Sequence, residues 1–186
     1  GGGVWVPNNP TLLREGLGDT REDVRAYLDA VVGDRVPSKN IDAFIDEGPK
    51  MVEFLEKSSP HMRFQWCTGY SDYHPEAPGG RAHGRSCEPK PFDGKQLGDE
   101  LKNLEPDYTK APMNLVVTQA DFKWLNLIMR HPKGPLRALR VAGRYYAARA
   151  RGKHLLGRGQ ALIAALRVGL QRANVPLWLN TSLVDL

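Results

Sequence analysis

Two tyrosines, Tyr70 and Tyr73, are the residues whose type and spacing best suit chemistry in this sequence of 186 residues. They lie in residues 68–94, a stretch rich in Gly, Pro, Asp and His without helical or strand periodicity. A phenol can donate a hydrogen bond or, when its pKa is lowered, accept a proton. Long loops without elements of their own are usually functional or disordered, and the aromatic residues argue against disorder. The residues alone favour a role in a site and a role in packing equally.

The glycine run Gly1-Gly2-Gly3 is a second candidate, because a backbone without Cβ atoms can bring its N–H groups close to a ligand. A flexible turn is the alternative, and the Gly-x-Gly-x-x-Gly fingerprint of dinucleotide binding does not occur in this sequence. Bulky apolar residues follow the run directly, whereas a native N-terminus is usually polar and dispensable. We therefore expect an internal segment of a larger protein.

The cysteines and histidines near the tyrosines do not form a metal pattern. Cys67, His74, His83 and Cys87 are separated by six, eight and three residues, spacings that match no zinc site. We predict no metal. Ser86-Cys87 has neither a Gly-x-Ser-x-Gly context nor an identifiable His and Asp set, so we predict no nucleophile. Two cysteines without a partner pair predict free thiols in a reducing cytoplasm.

Charge is distributed unevenly along the sequence. Residues 1–121 contain 20 acidic residues and 14 Lys and Arg, whereas residues 122–184 contain 12 Lys and Arg and no acidic residue. A basic block can attract nucleic acid or anionic lipid. No RNA-binding, zinc-finger or helix-turn-helix pattern accompanies it, which favours a solvated face or a face docked on acidic residues. We expect no nucleic-acid partner, and a basic binding module that uses residues 122–158 is the alternative from another functional class.

Hydrophobic periodicity predicts that mainly helices position these residues. One apolar stripe runs from Val24 to Val32, with Thr20 as its N-cap and Gly33 past its end. A second stripe over 38–55 is interrupted by Gly48-Pro49, which predicts two short helices or a kinked one. Further helices are predicted over 96–104, 119–129, 135–151 and 157–174. Short strands are predicted over 62–66 and 175–179, and the sequence is thus α+β and mostly helical.

The predicted helix over 135–151 separates its apolar residues from its basic residues. One face carries Leu136, Leu139, Gly143 and Tyr146. Most of the other face carries Arg137, Arg140, Arg144 and Arg151.

The sequence resembles the 3-oxosteroid 1-dehydrogenases (3-ketosteroid Δ1-dehydrogenases), flavoproteins related to the flavoprotein subunits of fumarate reductase and succinate dehydrogenase. The specific parts of the resemblance are the opening Gly-Gly-Gly-Val-Trp-Val-Pro-Asn and the loop Gly-Tyr-Ser-Asp-Tyr through Glu-Ala-Pro-Gly-Gly-Arg. Shorter matching stretches are 31–34, 130–132, 159–162 and 175–181. The resemblance implies a two-domain FAD-binding α/β flavoprotein with an inserted α+β substrate domain.

The resemblance also implies roles for individual residues. In these enzymes a tyrosine base removes the C2 proton of a 3-oxosteroid while a hydride leaves C1 for flavin N5. Tyr73 corresponds to the tyrosine that supports this base, and Tyr70 to an aromatic wall of the steroid pocket. Gly1, Gly2 and Gly3 correspond to the segment beside the isoalloxazine ring, and Leu183 to a backbone contact with adenine. The base and the groups that polarise the C3 carbonyl correspond to no residue of this sequence.

The implied domain boundaries assign 1–19 to the flavin-contacting part of the FAD-binding domain, 20–154 to the first half of the substrate domain, and 155–186 to the FAD-binding domain again. We expect the isolated segment to bind FAD weakly at most and to have no turnover. A related flavin dehydrogenase or reductase acting on another enone-type substrate is the alternative within the family. An apolar substrate makes a cytoplasmic protein with peripheral membrane association a reasonable hypothesis, and the electron acceptor stays undefined.

Overall fold

The computed structural model of the chain describes residues 2–107 and 111–185. Helices and short strands confirm the predicted α+β, mostly helical class. The α-helices are α1 (Pro10–Arg14), α2 (Arg21–Val32), α3 (Ser38–Ser58), α4 (Gln119–Leu125), α5 (Lys133–Ala150) and α6 (Arg158–Arg172). The strands are β1 (Val4–Trp5), β2 (Phe64–Trp66), β3 (Ser86–Pro89), β4 (Phe92–Asp93) and β5 (Leu155–Leu156). The 3-10 helices cover Gly33–Arg35, Gly94–Asn103 and Pro112–Asn114.

The larger sheet is centred on β3, with β1 and β2 antiparallel on its two sides. Val4 and Trp66 pair with Cys87 from opposite sides. The prediction that all of 68–94 is a loop is therefore wrong from Ser86 onward. All four residues of β3 are buried, so the strand lacks the apolar–polar alternation by which a half-buried strand is recognised.

The buried Glu88 of β3 connects this sheet to α4. Its carboxylate accepts hydrogen bonds from the backbone N–H groups of Gln119 at 2.8 Å and Ala120 at 3.1 Å. It also accepts one from the Gln65 side chain at 3.0 Å. These donors include N–H groups in the first turn of a helix, which have no partner within the helix itself. Glu88 is thus a structural acid, and it fixes the start of α4 beside the sheet.

The main core lies between the larger sheet and α6. One face of α6 consists mostly of small residues, which lets its backbone lie close to the strands: Ala161, Ala164, Ala165 and Val168. Val6, Phe64 and Cys87 of the sheet side belong to the same cluster. A second cluster of Val24, Ile41 and Ile45 joins α2 to α3. The chain that follows the glycine run is therefore anchored in the main core.

The start and end of α2 are as predicted. Thr20 Oγ1 accepts a hydrogen bond from the Asp23 backbone N–H at 3.1 Å, and Gly33 follows the helix with φ of 62°. Of the two alternatives predicted over 38–55, two short helices are ruled out, since α3 is one continuous helix that contains Pro49. The buried Gly48 lies against the Val6 side chain, so packing on the core holds the helix together across the proline.

The apolar residues on the predicted apolar face of α5 are exposed, and two arginines of the helix are partly buried. Leu136, Leu139 and Tyr146 are exposed, whereas Arg137 and Arg144 turn inward and donate to the Asp121 carboxylate of α4 at 3.1 and 2.8 Å. Burial raises the pKa of Asp121, but the hydrogen bonds from Arg144 and Thr118 outweigh it, and the net pKa is lowered. Part of the basic block is thus docked on an acid within this chain.

The predicted strand over 175–179 does not form, because an extended segment becomes a strand only where a neighbouring strand pairs with its backbone. Its apolar residues, Val175, Leu177, Trp178 and Leu179, are exposed. Within 2–107 and 111–185, no helix has the length and apolar character needed to cross a bilayer. The same residues include no group of three or more His, Cys, Asp or Glu that could hold a metal ion.

Both cysteines are free and buried. Burial raises the pKa of the Cys87 thiol to about 12 and also raises the pKa of Cys67. A thiol with so high a pKa has almost no thiolate at neutral pH and is chemically inert. The cysteines therefore serve packing around β3.

Candidate functional site

A buried arginine, Arg85, lies between the tyrosine-bearing loop and β1. Its side chain has no solvent exposure (0%). The guanidinium carbon lies 5.6 Å from the centre of the Trp5 ring and 5.2 Å from that of the Tyr27 ring. A desolvated cation over aromatic faces gains about 2 kcal/mol or more. These rings alone do not neutralise the charge.

Two buried carboxylates neutralise Arg85. Its Nε donates to Asp19 Oδ2 at 2.9 Å, and its Nη2 donates to Asp19 Oδ1 at 3.1 Å. Nη1 donates to Asp72 Oδ2, and Nη2 also donates to the Gly79 carbonyl at 2.6 Å. Burying a charge is tolerated only when partners and hydrogen bonds replace the lost water. The cluster of Arg85, Asp19 and Asp72, called here the buried arginine cluster, meets this condition.

Asp72 is the point at which the loop meets β1. Its Oδ1 accepts a hydrogen bond from Trp5 Nε1 at 2.8 Å. Besides Arg85, its Oδ2 accepts one from the Arg81 backbone N–H at 3.0 Å, and the Asp72 N–H donates to the Arg81 carbonyl at 3.1 Å. The segment from 72 to 81 is thus closed at its base, as in compact loops whose ends lie close together.

The Tyr70 and Tyr73 side chains flank this anchor and lie beside each other. Their ring centres are 6.2 Å apart at an angle of 74°. The Tyr70 hydroxyl donates to the Tyr73 hydroxyl at 3.2 Å, a long and therefore weak hydrogen bond. This hydrogen bond and partial burial raise the pKa of Tyr70, which keeps it protonated. Tyr73 is 82% exposed, and its oxygen accepts the hydrogen bond from Tyr70, so its own O–H group can donate to another partner.

Further contacts hold the backbone on either side of the tyrosines. The Tyr27 hydroxyl accepts a hydrogen bond from the His74 N–H at 3.3 Å. Gly84 has φ of +67°, and a Cβ there would lie 2.0 Å from the Tyr70 carbonyl oxygen. Only glycine permits that approach. The loop is therefore a fixed platform for two phenols, although it contains almost no regular secondary structure.

The glycine segment before β1 lies against the beginning of α6. Gly2 has φ of +102°, and a Cβ on it would lie 2.3 Å from backbone atoms of Arg158 and Gly159. A Cβ on Gly3 would lie 2.8 Å from Gln119 Oε1. This oxygen is buried and has no hydrogen-bond donor among the described residues. Gly1 lies outside the described residues.

These groups fit the flavin that the resemblance implies. The Cβ side of Gly2 and Gly3 is filled by Arg158, Gly159 and Gln119, so the room for a flat ring lies on the exposed backbone of Gly3. A buried acceptor that lacks a donor, Gln119 Oε1, suits an N–H group such as that of an isoalloxazine ring. Leu183 is exposed (75%) in the irregular segment after α6. Its backbone contact with adenine stays a prediction.

Sequence reasoning missed Arg85, Asp19 and Trp5, and it gave Asp72 no role. An arginine in a glycine-rich loop is expected to be solvated, since Arg is almost never fully buried unless it is paired. Its partner Asp19 is 66 positions away, so no local spacing indicates the pair. The occurrence of an acid and an arginine within one functional loop was the available signal, and it specifies no geometry.

Comparison with known proteins identifies close relatives of this arrangement. Residues 1–186 match the model of a family described as "FAD binding domain". The chain is 54% identical over its full length to a 3-oxosteroid 1-dehydrogenase of Mycolicibacterium smegmatis and 53% identical to one of Mycobacterium tuberculosis. It covers 32% and 33% of those proteins. The chain therefore spans about a third of the length of the curated relatives it matches.

A solved structure is similar over nearly the whole chain. It is the crystal structure of a 3-ketosteroid delta1-dehydrogenase from Sterolibacterium denitrificans in complex with 1,4-androstadiene-3,17-dione. The two share 34% sequence identity with a TM-score of 0.79. The match covers 97% of this chain and 32% of the solved one.

Replacing Arg85 tests whether the buried arginine cluster holds the loop. We expect Arg85→Met to lower the free energy of unfolding by about 3–5 kcal/mol, because it leaves the Asp72 carboxylate buried without a cation and leaves Asp19 with only the partly exposed Arg81. The measurement is urea unfolding followed by tryptophan fluorescence. Lys50→Met, which removes an exposed ion pair with Glu47, is the control and should have no measurable effect. A loss for Arg85→Met as small as that of the control would contradict the assignment.

Proposed function

The chain belongs to the FAD binding domain family, and we propose that it works within a 3-oxosteroid 1-dehydrogenase that introduces a C1–C2 double bond into the steroid A ring. The observation that carries this proposal is the placement of two phenols, Tyr70 and Tyr73, on a loop that Asp72 ties to the strand that follows the glycine segment. Two full-length relatives at 54% and 53% identity bear the name of this activity. The similar solved structure contains a steroid, which supports a steroid substrate.

The reaction removes two hydrogens from adjacent carbons. When bound, FAD supplies the acceptor for the hydride that leaves C1. The proton at C2 goes to a phenolate base that the resemblance places outside this chain, and the electron pair of the C2–H bond forms the double bond. Gly2 and Gly3 would hold the ring edge by their backbone, with Gln119 Oε1 as an acceptor beside them.

Tyr73 would act on the base rather than on the steroid. A hydrogen bond donated to an ionised phenol stabilises that form and lowers its pKa. Tyr73 suits this role because it is exposed and its oxygen already accepts a hydrogen bond from Tyr70, which leaves its own O–H group to donate to the base. Tyr70 would form an aromatic wall of the steroid pocket with its ring.

The domain boundaries belong to the same proposal. Residues 1–19 would contribute to the FAD-binding domain, 20–154 to the substrate domain, and 155–186 to the FAD-binding domain again. Alone, these 186 residues would bind FAD weakly at most and would not turn over. The protein would work in the cytoplasm, which agrees with two free thiols.

A surface on α5 favours peripheral attachment to a membrane. Leu136 and Leu139 are 66% and 70% exposed, and the nearby Met129 is also exposed. Lys133 and Arg140 are exposed on the same helix, which contains no acidic residue. Apolar residues flanked by cations are typical of helices that lie in the interface of an anionic bilayer. We propose this surface as a membrane contact through which an apolar substrate is reached.

Assay of the full-length enzyme tests the proposed activity. With a 3-oxosteroid and an artificial electron acceptor we expect turnover and a 1,4-diene product. Tyr73→Phe should lower kcat about 10-fold and move the ascending limb of the pH–rate profile to higher pH, because the base loses a donor to its ionised form. Tyr146→Phe, at an exposed tyrosine of α5, is the control and should change neither.

Two results would contradict this function. Flavin reduction by another cyclic enone or ketone but not by 3-oxosteroids would favour the alternative within the family. An unchanged pH–rate profile in Tyr73→Phe would remove the role assigned to that phenol.

Vesicle sedimentation tests the α5 surface. We expect the full-length enzyme to sediment with vesicles rich in anionic lipid at low salt and to be released by high salt. The double variant Leu136→Ser, Leu139→Ser should sediment several-fold less, with unchanged kcat. Leu13→Ser, at an exposed leucine of α1, is the control. Equal sedimentation of both variants would refute the contact.

A further inference from the structure

We propose that Asp72 is a positioning residue for the reaction, and that the hydrogen bond from Trp5 Nε1 to Asp72 Oδ1 sets where the tyrosine pair lies relative to the flavin. The inference rests on the proposed function and extends it to residues that do not touch the substrate. It makes the tryptophan of β1 a determinant of catalytic rate.

The covalent path between the two ends of this link is short. Trp5 follows Gly3, which is proposed to lie beside the flavin, by two positions, and Asp72 immediately precedes Tyr73. One hydrogen bond of 2.8 Å joins these two segments, which are 67 positions apart in the sequence. A displacement at this bond therefore changes the distance from the Tyr73 hydroxyl to the ring directly.

The two oxygens of Asp72 have different tasks. Oδ2 accepts from Arg81 and Arg85, which both belong to the same loop as Asp72. Oδ1 accepts from Trp5, which belongs to β1. The Oδ2 contacts thus give the loop its shape, whereas the Oδ1 contact fixes the loop, already shaped, to the strand that follows the glycines.

The Trp5 ring is held independently of its N–H group. It stacks on Phe44 with ring centres 6.0 Å apart and planes at 8°, and on Tyr27 at 5.7 Å. The centre of the Trp5 ring also lies 5.6 Å from the guanidinium carbon of Arg85. Removing the N–H donor while keeping an aromatic ring should therefore preserve the core and release only the tie to Asp72. This separation makes positioning distinguishable from folding.

Positioning errors act on rate more than on binding. A misplacement of about 1 Å at a reacting group can cost about 100-fold in rate, because the productive geometry is populated less often. Steroid binding depends mainly on apolar contact area, which this change leaves in place. If Tyr73 no longer reaches the base, the base also loses a donor to its ionised form, and its pKa rises.

The test is Trp5→Phe in the full-length holoenzyme with a 3-oxosteroid and an artificial acceptor. We expect kcat to fall about 10- to 100-fold, KM to stay within about twofold, bound FAD to remain stoichiometric, and the ascending limb of the pH–rate profile to move to higher pH. The control is Trp66→Phe. Trp66 lies in β2 of the same sheet, and its indole N–H donates to the His83 carbonyl at 3.2 Å. It should leave kcat and the pH–rate profile unchanged.

Other results would overturn the positioning role or the proposed function. A kcat within twofold of the unsubstituted enzyme, or an equal fall in both tryptophan variants, overturns the positioning role while the proposed function stands. No turnover by the unsubstituted enzyme overturns the proposed function and this inference with it. If Trp5→Phe loses FAD, the same measurements are made with benzothienylalanine at position 5, which keeps the shape of the indole but lacks its N–H group. Bound FAD with a normal kcat in that variant overturns the positioning role.

Discussion

A guanidinium shielded from water must be neutralised by acidic and polar groups that pack around it. Because Arg85 is such a group, the segments that carry its partners must lie close together. Its partners come from separate parts of the chain: Asp19 before α2, Asp72 and Gly79 in the loop, and the rings of Trp5 and Tyr27. Each partner has to be present before the charge can be buried. The cluster therefore requires β1, the loop and the start of α2 to assemble together.

This requirement explains how a loop without regular hydrogen bonding can present phenols in a defined way. Helices and strands fix side chains through their repeating backbone bonds, and residues 68–85 have few of these. Here buried charge and carboxylate geometry take their place. The site thus lies on an irregular segment, as functional residues often do, but the segment is anchored as firmly as an element of a core.

Some elements could be predicted from local sequence signals, and others depend on contacts between distant parts of the chain. The α2 helix was predicted with its cap and its glycine end because the signals are local. Of the two alternatives at Pro49, a break and a kink, the break does not occur because contacts with Val6 and the core outweigh one missing backbone hydrogen bond. The sequence separated the apolar and basic residues of α5 but did not show which would be buried, because Asp121, the partner of Arg137 and Arg144, lies on another helix.

The site shows the same division. The tyrosines and glycines could be selected from their types, and the family from the resemblance of the sequence stretches that contain them. The cofactor FAD is confirmed by the family match, whereas the roles of Tyr70, Tyr73, Gly2, Gly3 and Leu183 stay predictions. Arg85 and its acids could not be predicted, because burial of a charge depends on partners that only the folded chain brings together.

Native-state hydrogen exchange of the loop amides tests the central claim most directly. The backbone N–H groups of Asp72 and Arg81 donate hydrogen bonds across the base of the loop. We expect both to exchange only through global unfolding of the protein, and therefore slowly. Arg85→Met should make both exchange faster, whereas amides in the middle of α6 should change far less. Exchange of Asp72 and Arg81 in the unsubstituted protein at rates near those of an unstructured peptide would contradict the account.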